Sequence, residues 1–126
     1  MYVLGLLHYD VQAKSVDTSL MTQAIVVVTT LPEFETALKL AAELVEKRLA
    51  ACVNILPPMT SVYEWKGKLE KGQEHLLLIK TTERCYLDLE AYIRRFHPYE
   101  LPEIIALPVK SGLSAYLDWV RLQTVE

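Results

Sequence analysis

A chain of 126 residues with 52% apolar and 23% charged side chains can bury one core and is too short for two domains. Its formal net charge of -3, with lysines and arginines scattered, excludes a nucleic-acid platform, which needs a concentrated basic face. No stretch approaches the roughly 20 apolar residues of a membrane span, and Cys52 and Cys85 lie too far apart to read as a disulfide framework, so a reduced, cytoplasmic setting is expected.

Residues 1–22 mix a short apolar patch with Asp10, Lys14, Asp17 and several hydroxyl residues, without sustained periodicity. They read as a flexible leader ahead of a single domain over residues 23–126. Met21 stands just before the first strong strand and is an alternative start of translation. Residues 24–29, Ala-Ile-Val-Val-Val-Thr, form a continuous β-branched run and predict a strand. Thr30-Leu31-Pro32-Glu33 has capping-box spacing, and Phe34, Leu38, Ala41 and Val45, joined by Ala37 and Leu44, predict an amphipathic helix reaching about Leu49.

A second strand opens at residues 51–56, is interrupted by Pro57-Pro58, and resumes over 61–65, where alternation puts Tyr63 and Trp65 on one face. Lys66-Gly67-Lys68 and Lys71-Gly72 supply turn chemistry, and residues 74–81 return as the third strand. A second helix follows Thr82, buries Tyr86, Leu89, Ile93 and Phe96, and stops at His97-Pro98. Residues 103–107 predict a fourth strand, and Ser114 caps a last short helix with Tyr116, Leu117, Trp119 and Val120.

The order β-α-β-β-α-β-α is that of an α+β, ferredoxin-like split-βαβ sandwich (βαββαβ) with an additional C-terminal helix. Two long helices cover one face of such a sheet. Strands one, three and four, however, carry near-continuous apolar runs, the mark of burial on both sides. The short last helix is too small to cover the rest, so a further subunit is expected there.

The side chains most like metal ligands are Cys52, His97 and Glu103. Thiolate and imidazole suit copper or zinc, and a carboxylate can complete a mixed site. Each has a plainer reading: His97 ends a helix, Cys52 fills core between Ala51 and Val53, and Glu103 borders a strand. An alternative gathers Tyr63, Trp65, Tyr99 and Trp119 around a ligand cleft anchored by Lys80, Arg84 and Glu103, with a glutamate such as Glu64, Glu74 or Glu103 partnering Lys80. Against it stands the ordinary use of aromatics as core and interface filler. No Walker A, GxGxxG, HExxH, GxSxG or CxxC pattern is present, and a non-enzymatic role is expected. The first strand is followed by Thr29-Thr30-Leu31-Pro32 rather than an acylphosphatase cradle, and the third lacks RNA-stacking aromatics.

Arg48-Leu49-Ala50-Ala51-Cys52-Val53-Asn54-Ile55, Ser61-Val62-Tyr63-Glu64-Trp65-Lys66-Gly67, Leu78-Ile79-Lys80-Thr81-Thr82, His97-Pro98-Tyr99-Glu100-Leu101-Pro102-Glu103-Ile104 and Tyr116-Leu117-Asp118-Trp119 occur in order along residues 24–122. Together they resemble the CutA divalent-cation-tolerance family. The resemblance implies a ferredoxin-like homotrimer, similar in shape to PII-type signalling proteins, in which neighbouring subunits extend one another's sheets. It implies divalent-metal tolerance through weak binding of copper or another divalent ion, with no obligatory cofactor. The rival is a PII-like sensor or interaction module that takes a small molecule or protein at inter-subunit clefts. The family's copper-binding version carries a Cys where Thr29 stands and a His where Phe96 stands, so only His97 of that set is kept.

Overall fold

The computed structural model describes residues 22–124. The alternative start at Met21, and all of the expected leader except Thr22, lie outside the described residues. β1 spans Ala24–Leu31 and ends where Pro32 removes a ladder N–H. α1, Phe34–Glu46, is rich in Ala, Leu and Glu, good helix formers. Its N-cap is Glu33, with no capping side chain, because Thr30 is the seventh residue of β1 and not a cap. The buried stripe is Ala37, Leu40, Ala41 and Leu44, while Phe34, Leu38 and Val45, expected inside, are exposed. An offset of one row on a 3.6-residue helix separates the two readings, and the smaller alanines let α1 sit close to the sheet. Arg48 at φ 60 closes the helix, with the Leu49 and Ala50 N–H groups returning to the Leu44 carbonyl.

β2 is Cys52–Ile55 and β3 is Met59–Trp65, separated around Pro57-Pro58. The hairpin turn is tighter than expected. Lys66 (φ 52) and Gly67 (φ 82) alone form it, with the paired positive φ values of a type I′ turn. Lys71-Gly72 therefore lies inside β4, which runs without a break over Lys68–Thr82. Gly67→Ala is expected to cost about 1 kcal/mol in a denaturant melt, since open space surrounds the position and only the left-handed backbone is penalised. A 3₁₀ turn, Glu83–Cys85, leads into α2, Tyr86–Phe96, which stops at His97 in extended geometry before Pro98. β5, Ile104–Pro108, and α3, Ser114–Gln123, complete the described chain.

The sheet is antiparallel, in the order β2-β4-β1-β5. The 15 residues of β4 organise it. Its second half pairs with β1 on one edge and β2 on the other; its first half pairs only with β3. β3 and residues 68–74 of β4 thus leave the sheet as a two-stranded arm whose outer edges have no strand partner among the described residues. Val27, Leu77 and Ile79 point to α1 and α2 and form the core with Leu40, Leu44, Leu89 and Ile93. Alternation puts Val26, Leu78, Ile105 and Leu107 on the opposite face. α3 packs against β1 and β4 and covers part of this face, but Ile105 and Leu107 stay 49% exposed.

Candidate functional site

Where β1 ends and the arm departs, Glu74 has its carboxylate turned inward, with only 9% of the residue exposed. Burial by itself would cost a carboxylate dearly. Three hydroxyls offset that cost: Ser61 Oγ donates to Oε1 at 2.6 Å, and Tyr99 Oη and Thr30 Oγ1 donate to Oε2 at 2.7 and 3.1 Å. Burial pushes the Glu74 carboxyl up, but these three bonds outweigh it and hold the group below the ordinary carboxylate range. Burial, with the Glu74 bond and charge, drives the Tyr99 phenol far above its ordinary value, so it stays a donor.

His97 belongs to the same network through its backbone partners. Its Nε2 lies 2.7 Å from the Thr30 carbonyl, which can only accept, and its Nδ1 takes the Tyr99 N–H at 3.1 Å. That pair of contacts fixes the neutral Nε2–H tautomer. Both ring nitrogens are occupied, so ligating a metal here requires breaking one of the two bonds.

The three expected metal donors are not brought together. Cys52 sits on β2 opposite Lys80, beside Tyr116 of α3, whereas Thr30, the His97 partner, is four residues along β1 from Val26, the residue facing Lys80. Four strand residues are about 13 Å. Among the described residues no three His, Cys, Asp or Glu side chains are placed to hold a metal ion. Thr29 is fully buried in β1, its hydroxyl without a partner among the described residues, and Phe96 stacks on Tyr92 at 4.9 Å. Neither offers a metal an electron pair from an accessible ligand atom.

The expected ligand cleft divides in two. Tyr63, Trp65, Tyr99 and Glu103 do meet, around a cleft of about 750 Å³ whose other walls are Thr30, Ser61, Val62, Glu74 and residues 98–101. Lys80, Arg84 and Trp119 lie elsewhere. Lys80 is half-buried on β4 and makes no ion pair among the described residues, so the expected glutamate partner is not found; Glu74 is bound to hydroxyls instead. Arg84 is exposed in the 3₁₀ turn, and Trp119 packs on Tyr116 in α3. Of the group that anchors the cleft, sequence reasoning missed Thr30 and Ser61 and offered Glu74 only as a partner for Lys80. The available signal was a carboxylate opening the apolar run from Leu76 to Ile79 on the same face as Leu76 and Leu78, a position that demands donors.

The model of the CutA1 divalent ion tolerance protein family matches residues 25–123. The divalent-cation tolerance protein CutA of Thermus thermophilus is 50% identical over 99 residues, covering 79% of this chain and 96% of that protein. Human protein CutA is 50% identical over 95 residues, covering 75% of this chain, which spans about half (53%) of that longer protein. Among solved structures, the divalent cation tolerance protein of Thermus thermophilus superposes with a TM-score of 0.79 at 48% identity, over 81% of this chain and 99% of that one. CutA1 from Oryza sativa gives 0.80 at 43%, over 83% and 96%. The matched segment runs from the second residue of β1 to the end of α3, and on it this chain belongs to the CutA1 divalent ion tolerance protein family.

Proposed function

We propose that the chain serves divalent-ion tolerance as a non-enzymatic, cytoplasmic homotrimer of ferredoxin-like subunits, the β3–β4 arm of each pairing with the sheet of the next. The arm carries this reading. A two-stranded ribbon is marginal in water by itself, and this one has outer edges unpaired among the described residues, with Val62, Tyr63 and Leu69 exposed along it. The half-open second face, with Ile105 and Leu107, asks for the same cover. The strand order β2-β4-β1-β5 supports the ferredoxin-like part. Light scattering at micromolar concentration is expected to give three times the chain mass; a single-chain mass overturns the assembly.

Metal enters this reading as a weakly held ion. With both His97 nitrogens engaged and Cys52 remote, a soft-metal centre of copper or zinc has no support among the described residues of one chain. Calorimetric titration of the reduced protein with Cu(II) and Zn(II) tests it: affinity is expected to be weak and to survive His97→Ala. Micromolar affinity abolished by that substitution restores the imidazole as ligand.

A second, PII-like reading is favoured by the cleft itself, whose size falls in the range of small-molecule sites and whose lining joins aromatic rings to the polar groups of Thr30, Ser61, Glu74 and Tyr99. On this reading the trimer is a sensor whose cleft is filled by a small molecule.

A further inference from the structure

We propose that the cleft between the arm and the 98–103 loop binds small organic ammonium ions. Among the described residues its lining includes the aromatic rings of Tyr63, Trp65 and Tyr99 and the carboxylates of Glu74, Glu100 and Glu103, with no lysine, arginine or histidine. Each ligand class meets that lining differently. An anion is repelled by Glu100 and Glu103. A neutral apolar guest strips water from the carboxylates and returns no hydrogen bond. A small divalent ion seeks six or so oxygen ligands; the rings offer none, and the Glu74 oxygens already accept three hydroxyls. An ammonium carried on carbon satisfies both kinds of wall, resting on the rings' negative faces with a carboxylate beside it.

The chain already displays this recognition at the mouth of the cleft. The ammonium of Lys66 lies 5.7 Å from the centre of the Trp65 ring and 3.7 Å from Glu100 Oε1. Lys66 and Glu100 are 70% and 74% exposed, so the contact is worth little and yields to a competitor. Lys66 is therefore a tethered stand-in for the ligand. It is held there because the type I′ turn places it directly after Trp65.

The proposal rests on the cleft reading given above and not on the trimer, since every residue it uses belongs to one chain. Calorimetric titration of the full chain compares choline with its uncharged carbon isostere dimethylbutanol and with magnesium chloride. Choline is expected to bind saturably and at least about tenfold more tightly than dimethylbutanol. Trp65→Leu and Glu103→Gln are each expected to weaken choline about threefold to thirtyfold. Lys66→Gln removes the internal competitor and is expected to strengthen it about twofold to fivefold. Equal binding of choline and dimethylbutanol, or displacement of choline by magnesium, overturns the ammonium class and leaves the cleft reading standing. No binding of either organic probe overturns both. Choline binding indifferent to Trp65→Leu and Glu103→Gln places it elsewhere and overturns the proposal. Light scattering on the same samples reports the assembly separately.

Discussion

Glu74→Leu is expected to lower the unfolding free energy by about 2–4 kcal/mol, read from a denaturant melt at fixed protein concentration. Leucine fills much the same volume but accepts nothing, leaving the Ser61, Thr30 and Tyr99 hydroxyls to find new acceptors at a buried site. The Tyr99 bond matters most for function. It pins the 98–103 loop to the arm, and without it the cleft loses the relation between its two walls. Glu74→Gln keeps one acceptor oxygen and is expected to cost less, about 1–2 kcal/mol. If the two substitutions cost the same, the carboxylate's charge and not its hydrogen bonds holds the site.

The same group sets the acid limit. The folded-state pKa of Glu74 lies below its ordinary value of 4.5, so the folded protein binds the proton less readily than the unfolded chain. The stabilisation is complete above the ordinary value and is lost as pH falls through the folded one. Wild type is therefore expected to lose stability relative to Glu74→Gln as pH drops below about 4.5, the two curves converging at the acid end. Tyr99 acts at the other end: its raised phenol contributes stability lost only as pH climbs past 10.0, well away from neutrality. Converging acid limbs assign the effect to Glu74; parallel ones remove it.

The elements were legible because their signals are local. The β-branched run of β1, the Pro57-Pro58 break and the His97-Pro98 stop each act through the backbone of one or two residues. The helix faces were less so. Phe34 and Leu38 carry more apolar surface than Ala37 and Ala41, and what decides between the two rows is how closely α1 approaches the sheet, a tertiary quantity. Part of the cleft's lining was legible, since alternation along β3 puts Tyr63 and Trp65 on one face whatever the register. Its anchor was not. Thr30, Ser61, Glu74 and Tyr99 come from four separate segments, and their meeting depends on β4 running straight through Lys71-Gly72 instead of turning there. The hydroxyl of Thr30, read as a helix cap, serves Glu74 because β1 extends to Leu31.

Converting Val62 and Leu69 together to lysine is expected to reduce the proposed trimer to single chains, measured by light scattering. On the arm, Val62 pairs with Lys71 and Leu69 with Glu64, so the two apolar side chains share the ribbon face opposite Ser61, Tyr63 and Trp65. They are 60% and 76% exposed in the single chain, where an added charge stays in water and changes stability within about 0.5 kcal/mol. In a subunit seam the same ammonium groups are buried without partners, at a cost of several kcal/mol per interface. The fold and the assembly therefore respond oppositely to one substitution pair. An unchanged trimer mass moves the seam off the arm, and the other exposed apolar face, Ile105 and Leu107 of the edge strand β5, becomes the surface to charge next. Because Val62 also borders the cleft, choline titration uses Leu69→Lys alone, which leaves Tyr63, Trp65 and the other lining residues in place.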